Sequence, residues 1–236
     1  MRESGKWKPK TLQNMRAGIL AIWNHAIESD ICEQYRKSKI RPIAVPRPVP
    51  VAWTEEELSR LLAASANLSG CFRSGINRQL YYDAAIRVAY DTGLRRGDLW
   101  RLSVSDVNDR GIVNTIQGKT REGHTCVLRQ RTMDSFFGLS RHIHRLKLPH
   151  HKTPLLWTKA SQAELYAGWG TLRDQAKVDK HGSFQMLRRT GATQVERNSP
   201  GAASRFLGHR TEGLAKRHYI DPSQIEAIQP PEIGDS

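Results

Sequence analysis

Apolar residues recur every three or four positions from residue 11 onward. Leu12, Met15, Ile19, Ile22, Trp23 and Ala26 form one stripe, which predicts an amphipathic helix over 11–28 with Thr11 as its N-cap. Such a stripe calls for a packing partner. The period then stops at Lys37–Pro50, where four prolines alternate with Lys37, Lys39, Arg41 and Arg47, predicting an extended basic linker. Thr54-Glu-Glu-Glu57 is a capping box ahead of Leu58, Leu61 and Leu62, so a helix starts there with acidic groups at its positive end. Leu80–Tyr90 carries a dense helical pattern, and Asp91–Asp98 breaks it with two glycines before Leu99, Trp100 and Leu102 resume it. Over 111–130 the character changes. Ile112, Val113 and Ile116, then Cys126, Val127 and Leu128, read as two short strands around a basic hairpin loop, Gly118–Gly123. Helical periods return from residue 134, with breaks at Pro149, His181–Ser183, Asn198–Gly201 and Pro222, and no internal repeat is visible. The fold class is therefore mainly α with a small antiparallel β-hairpin.

The chain has 236 residues, enough for roughly one and a half domains. The boundary falls in the proline-rich stretch: residues 1–45 form a partial helical segment, the linker runs to about 51, and the main domain spans 52–225, followed by a tail, 226–236. About one and a half helices precede the boundary, too few to bury a core. Lys and Arg number 37 against 23 Asp and Glu, a net charge of +14, while 38% hydrophobic residues suffice for a core. That excess attracts polyanions, with nucleic acid the leading partner and an anionic membrane the weaker one. The opening residues are polar and no apolar run approaches the ~18 residues of a membrane span, so a soluble, cytoplasmic, nucleoid-associated protein is expected, with no membrane partner. Cys32, Cys71 and Cys126 are odd in number and far apart, which predicts reduced thiols.

Four fragments stand out: Gly93-Leu-Arg95-Arg96-Gly-Asp98-Leu99, Gly118-Lys119-Thr120, Leu187-Arg188-Arg189-Thr190-Gly-Ala-Thr193, and Leu207-Gly-His209 followed by Tyr219. Singly, each has an ordinary reading as a helix start, a loop tip, a basic helix face and a helix C-cap. In this order, on this helix-and-hairpin framework, they resemble the catalytic domain of the tyrosine recombinases, or phage integrases, over about residues 52–225. Residues 1–45 resemble the end of that family's helical core-binding domain.

The resemblance implies a DNA breaking-rejoining fold and a site-specific recombinase, encoded by a mobile genetic element, that uses neither metal nor ATP nor another cofactor. Two guanidiniums, Arg95 and Arg188, suit the non-bridging oxygens of one phosphodiester and the charge of a pentacoordinate transition state. Tyr219 serves as nucleophile and forms a phosphotyrosyl ester, which the family makes at the 3′ phosphate with release of a 5′ hydroxyl. Lys119, on a hairpin, suits protonation of the leaving oxygen, and His209 a hydrogen bond to the same phosphate or assistance in proton movement. The partners implied are duplex DNA and further copies of the chain, a tetramer in the synaptic complex. With much of the core-binding domain missing, weak binding and reduced sequence selectivity are expected.

One position departs from the family pattern. Three residues before the second arginine the family usually has histidine, and this chain has Gln185, an amide that hydrogen-bonds but does not shuttle protons near neutrality. His181 is a poor substitute, since Gly182 and Ser183 intervene as a helix start. His142, His144, His150 and His151 lack carboxylate or cysteine company and sit among Arg141, Arg145, Lys147 and Lys152, which reads as a basic solvated or DNA-facing surface rather than a metal site. Two other functions stay open on the residues: a type IB topoisomerase-like enzyme of the same chemistry, and a recombinase relic that only binds DNA.

Overall fold

The computed structural model describes residues 7–35, 39–46, 48–157, 162–209 and 211–225. The chain divides into two compact units, Met1–Pro48 and Val49–Ser236. In the first, helix α1 spans Pro9–Glu28. It begins two residues ahead of the predicted Thr11 cap because Pro9, with φ already helical and no N–H to satisfy, occupies the first turn. Within this unit Trp23 tilts against Tyr35 at 5.3 Å, Arg16 donates to the Ile40 carbonyl, and Ile19 and Ile22 remain exposed. Of the predicted linker, Lys37, Ser38 and Arg47 lie outside the described residues, and 41–46 and 48–50 are irregular, as the prolines require.

The second unit starts with helix α2 (Glu55–Ala66), whose capping box is complete: Thr54 Oγ1 accepts from Glu57 N–H, and Glu57 Oε2 accepts from Thr54 N–H. Helix α3 (Arg78–Thr92) is capped by the Asn77 side chain and ends on Gly93 in the left-handed region, φ +57°. Short helix α4 (Arg96–Arg101) follows at once. Strands β1 (Ile112–Ile116) and β2 (Gly123–Val127) pair antiparallel, Ile112 opposite Val127 and Ile116 opposite Gly123, around the predicted loop. The remaining helices are α5 (Gln130–Arg145), α6 (Gln162–Gln175), α7 (Phe184–Asn198), α8 (Ala203–Leu207) and α9 (Glu212–His218).

The core is organised around α3. Tyr81, Tyr82, Ala84, Ala85, Ile86, Val88 and Ala89 are buried on all its sides, because α2, α5 and α7 pack around it. An aromatic cluster of Phe72, Tyr81, Tyr82 and Trp157 fills one end with ring centres 4.9–5.8 Å apart. Trp53, Trp169 and Phe184 extend it toward the start of α7. This rigid body holds α7, which carries Arg188. The two ends of the unit meet on the same helix: Ala52 N–H donates to Asp221 Oδ2 at 2.9 Å, Trp53 N–H to Thr190 Oγ1 at 3.1 Å, and Gln224 Nε2 to Ala52 O at 3.1 Å. The segment just after Tyr219 is thereby pinned to α7.

The three cysteines are free thiols. Burial raises the Cys126 thiol to about 12. Among the described residues no helix is long and apolar enough to cross a membrane. His142 Nε2 accepts the Asn77 backbone N–H at 3.1 Å, and His144 and His151 pack ring to ring at 4.7 Å, so these histidines tie α5 to its neighbours and are not merely solvated. The tail beyond residue 225 lies outside the described residues.

Candidate active site

Five of the six residues singled out in the sequence are linked through short contacts. Arg95 occupies the N-cap position of α4, delivered by the turn at Gly93; a Cβ on Gly93 would come within 2.5 Å of the Phe206 ring, so only glycine fits. The Arg95 side chain makes no cap. Its Nη1 donates instead to Gln117 Oε1, at the end of β1.

Arg188 projects from the middle of α7 and is wholly buried. Its Nη1 donates to the Gly93 carbonyl and its Nη2 to the Leu207 carbonyl at 3.1 Å, while Nε has no partner among the described residues. No described carboxylate forms an ion pair with it, and burial pulls its pKa down to about 10, partly offset by Tyr219. Nη2 also lies 3.1 Å from His209 Nε2. A guanidinium only donates, so Nε2 accepts and the neutral imidazole carries its proton on Nδ1. Burial, then the Arg188 and Arg95 charges, hold His209 down at about 4. His209 is placed by Gly208, which closes α8 in the left-handed region at φ +64°.

Tyr219 terminates α9, and its ring centre sits 5.0 Å from that of His209 and 4.8 Å from the guanidinium carbon of Arg188. Burial pushes the phenol up, but the Arg188 and Arg95 charges, with hydrogen bonds from Arg188 and Gln185, outweigh it and hold the phenol below its usual range. Gln185 lies in the exposed first turn of α7. Lys119 stands apart, exposed in the turn between β1 and β2, with no hydrogen bond or ion pair to a described residue.

Three polar residues that sequence reasoning missed hold this arrangement together. Asp98 is buried, and its Oδ1 accepts from Gly118 N–H at 2.9 Å and from Arg101 Nη2 at 2.5 Å, locking α4 to the hairpin. Gln117 is buried between Arg95 and the Leu207 carbonyl, to which its Nε2 donates at 3.1 Å. His124 faces inward from β2, 3.3 Å from the Thr92 carbonyl, and burial lowers its pKa. Asp98 belongs to the Gly93–Leu99 fragment and His124 to the inward parity of its strand. Nothing local marked Gln117. Among the described residues no group of three His, Cys, Asp or Glu side chains is arranged to hold a metal ion. What converges is two guanidiniums, a neutral imidazole and an acidified phenol, a set that suits a substrate anion.

The sequence profile of the phage integrase family matches residues 52–225. Comparison with solved structures finds a XerA recombinase (19% identity, TM-score 0.58, covering 94% of this chain and 82% of that one). It also finds a lambda integrase dimer bound to a COC′ core site, at 18% identity and TM-score 0.69, with 95% of this chain and 63% of that one covered. A third is the XerH site-specific recombinase in a post-cleavage complex with palindromic difH substrate, at 17% and 0.70, covering 95% and 64%. The comparison with curated proteins found no match.

Proposed function

Since the chain belongs to the phage integrase family, we propose that it recombines DNA site-specifically, cutting and rejoining strands through Tyr219. Arg95 and Arg188 hold the non-bridging oxygens of the scissile phosphate. The phenol loses its proton to water, its oxygen bonds to phosphorus, and the bond from phosphorus to the 5′ oxygen breaks, leaving a 3′-phosphotyrosyl ester. Lys119 supplies the proton that the departing 5′ oxygen needs. A 5′ hydroxyl attacking the ester reverses every step, so the strand is resealed with its bond energy conserved and no cofactor is consumed. His209 stands beside Arg188. When the phosphate takes Nη2 of that arginine, His209 Nε2 loses its donor and the nearby anion favours a protonated imidazole that donates to it. Residues 52–225 act as the catalytic domain and residues 1–45 as part of a clamp on duplex DNA, with paired sites bringing further copies of the chain together.

The observation that carries this reading is a buried arginine, without a carboxylate partner among the described residues, packed on the ring of an acidified tyrosine. The test is covalent capture. The protein is incubated with a randomised pool of nicked duplexes and denatured, and DNA bound to protein is recovered and sequenced. Adducts that resolve to one sequence, and vanish in Tyr219→Phe, are expected. Binding without adducts would instead identify a DNA-binding relic, and adducts without sequence preference a topoisomerase-like enzyme.

A further inference from the structure

One neutral amide links Arg95, the Lys119 loop and the turn that presents His209. Gln117 is 1% exposed, its Oε1 accepts from Arg95 Nη1, and its Nε2 donates to Leu207 O, the carbonyl that also takes Arg188 Nη2. Its backbone closes the loop that carries Lys119: its N–H donates to Glu122 O at 2.9 Å and its carbonyl accepts from Arg121 N–H at 2.7 Å. The adjoining Gly118 N–H is fastened to Asp98, one turn along α4 from Arg95. On the other side, a Cβ on Gly208 would lie 2.5 Å from Gln117 Nε2, so the turn that presents His209 rests directly on the amide.

Ordinary satisfaction of buried polar groups does not explain this placement. Leu207 O already has a donor in Arg188, and Arg95 is only partly buried and open to hydration. What Gln117 adds is order. A free arginine side chain samples many rotamers, and a guanidinium fixed before the substrate arrives loses none of that freedom during reaction. A primary amide offers, in one neutral group that keeps both roles at any pH, an acceptor for the guanidinium and a donor for the carbonyl.

We propose that Gln117 is a positioning residue that ties the Lys119 hairpin, Arg95 and the Leu207-Gly208-His209 turn into one unit, so that both arginines and the lysine reach a single phosphate together. The proposal rests on the phosphoryl-transfer reading given above. Gln117→Met keeps the volume and removes both hydrogen bonds. Gln117→Glu keeps the acceptor, loses the donor, and turns the Arg95 contact into an ion pair that competes with the phosphate.

The experiment uses the full chain and the duplex recovered by adduct capture, at saturating protein. Gln117→Met is expected to cleave about 10- to 100-fold more slowly, the range for a small misplacement of groups around the reacting atoms, with DNA affinity unchanged. On the same duplex carrying an uncharged methylphosphonate at the scissile position, the clamp has less charge to neutralise, so the two proteins should cleave at similar rates. Gln117→Glu is expected to be slower than Gln117→Met on the ordinary phosphate. Equal cleavage by all three proteins, or the same loss on both substrates, would overturn the proposal. A second readout needs no DNA and so stands apart from the reading of function. With 13C-labelled tyrosine, the Tyr219 ionisation midpoint in Gln117→Met should move up, because a loosened Arg95 stabilises the phenolate less. An unmoved midpoint in a cooperatively melting variant overturns the positioning role, and Gln117→Glu supplies the comparison if Gln117→Met fails to fold.

Discussion

The guanidinium carbon of Arg188 lies 4.8 Å from the ring centre of Tyr219, and the two titrations are bound to each other through that contact. Burial alone would keep the phenol protonated. The charges of Arg188 and Arg95 and the hydrogen bonds from Arg188 and Gln185 reverse the balance, so the phenolate forms below the usual value of about 10. Cleavage should therefore rise with pH and level off before that value. In Arg188→Gln the largest opposing charge is gone, burial dominates, and the Tyr219 midpoint should move above that of the unsubstituted protein. Tyrosine 13C NMR titration reads both directly.

Arg188 is itself a buried cation facing carbonyls, and burial has already dragged its pKa to about 10. A charge in that condition adds little to folding and much to anion binding. Arg188→Gln should cost about 10²- to 10³-fold in cleavage, the loss typical of one donor to a developing oxyanion, while its melting temperature holds or rises. Inorganic phosphate should raise the melting temperature of the unsubstituted chain more than that of Arg188→Gln, since a ligand that binds only the native state stabilises by mass action. Equal shifts would show that the anion does not sit at this arginine.

His209 gives the fold a pH signature of its own. Its folded value of about 4 lies below the ordinary value of about 6.5, so the unfolded chain binds the extra proton between them. Its contribution to stability is present above about 6.5 and is lost as pH falls toward 4, below which no more is lost. His209→Gln should flatten the dependence of the urea midpoint on pH within that window. A slope that survives the substitution would have to come from other groups, such as His124.

Gly208 is required twice over. Its φ of +64° is costly for any L side chain, and a Cβ there would meet Gln117 Nε2 at 2.5 Å and His124 Nδ1 at 2.8 Å. Gly208→Ala should destabilise by about 1–3 kcal/mol and displace His209 from Arg188. Circular dichroism melts would show the first effect. Loss of cleavage on the captured duplex, with binding retained, would show the second.

The elements that follow from local rules were legible in the sequence: the Thr54–Glu57 box, the glycine stop after α3, and the hairpin bracketed by Gly118 and Gly123. The cluster of Arg95, Arg188, His209 and Tyr219 was legible because it lies in short stretches of recognisable order. What holds the cluster was not. Gln117, Asp98 and His124 act across 20 to 90 residues of chain, through hydrogen bonds to Gly118, Leu207 and Thr92, and no periodicity or spacing encodes which carbonyl a buried amide will meet. The start of α1 differs from the sequence pattern for the opposite reason: Thr11 offers a side-chain cap, but Pro9 two residues earlier needs none and opens the helix.

Gln185 lies where the family usually has histidine, and its hydrogen bond to the Tyr219 phenol makes it an aid to ionisation without being a proton acceptor. Two variants separate those roles. Gln185→Ala removes the hydrogen bond, so the Tyr219 midpoint should rise and cleavage near neutrality should fall. Gln185→His restores a group that titrates near 6.5, and above that pH a neutral imidazole takes the phenol's proton in the attack. Its cleavage rate should exceed that of the unsubstituted chain by at least about tenfold at pH 8, modest beside the 10²- to 10⁴-fold range of general bases because Gln185 is exposed and the phenol is already acidified. The gain should fade as pH drops through 6.5 and the imidazole takes a proton of its own. Cleavage by Gln185→His equal to that of the unsubstituted chain across this range would mean that the amide's hydrogen bond, with the two arginines, is all the activation Tyr219 requires.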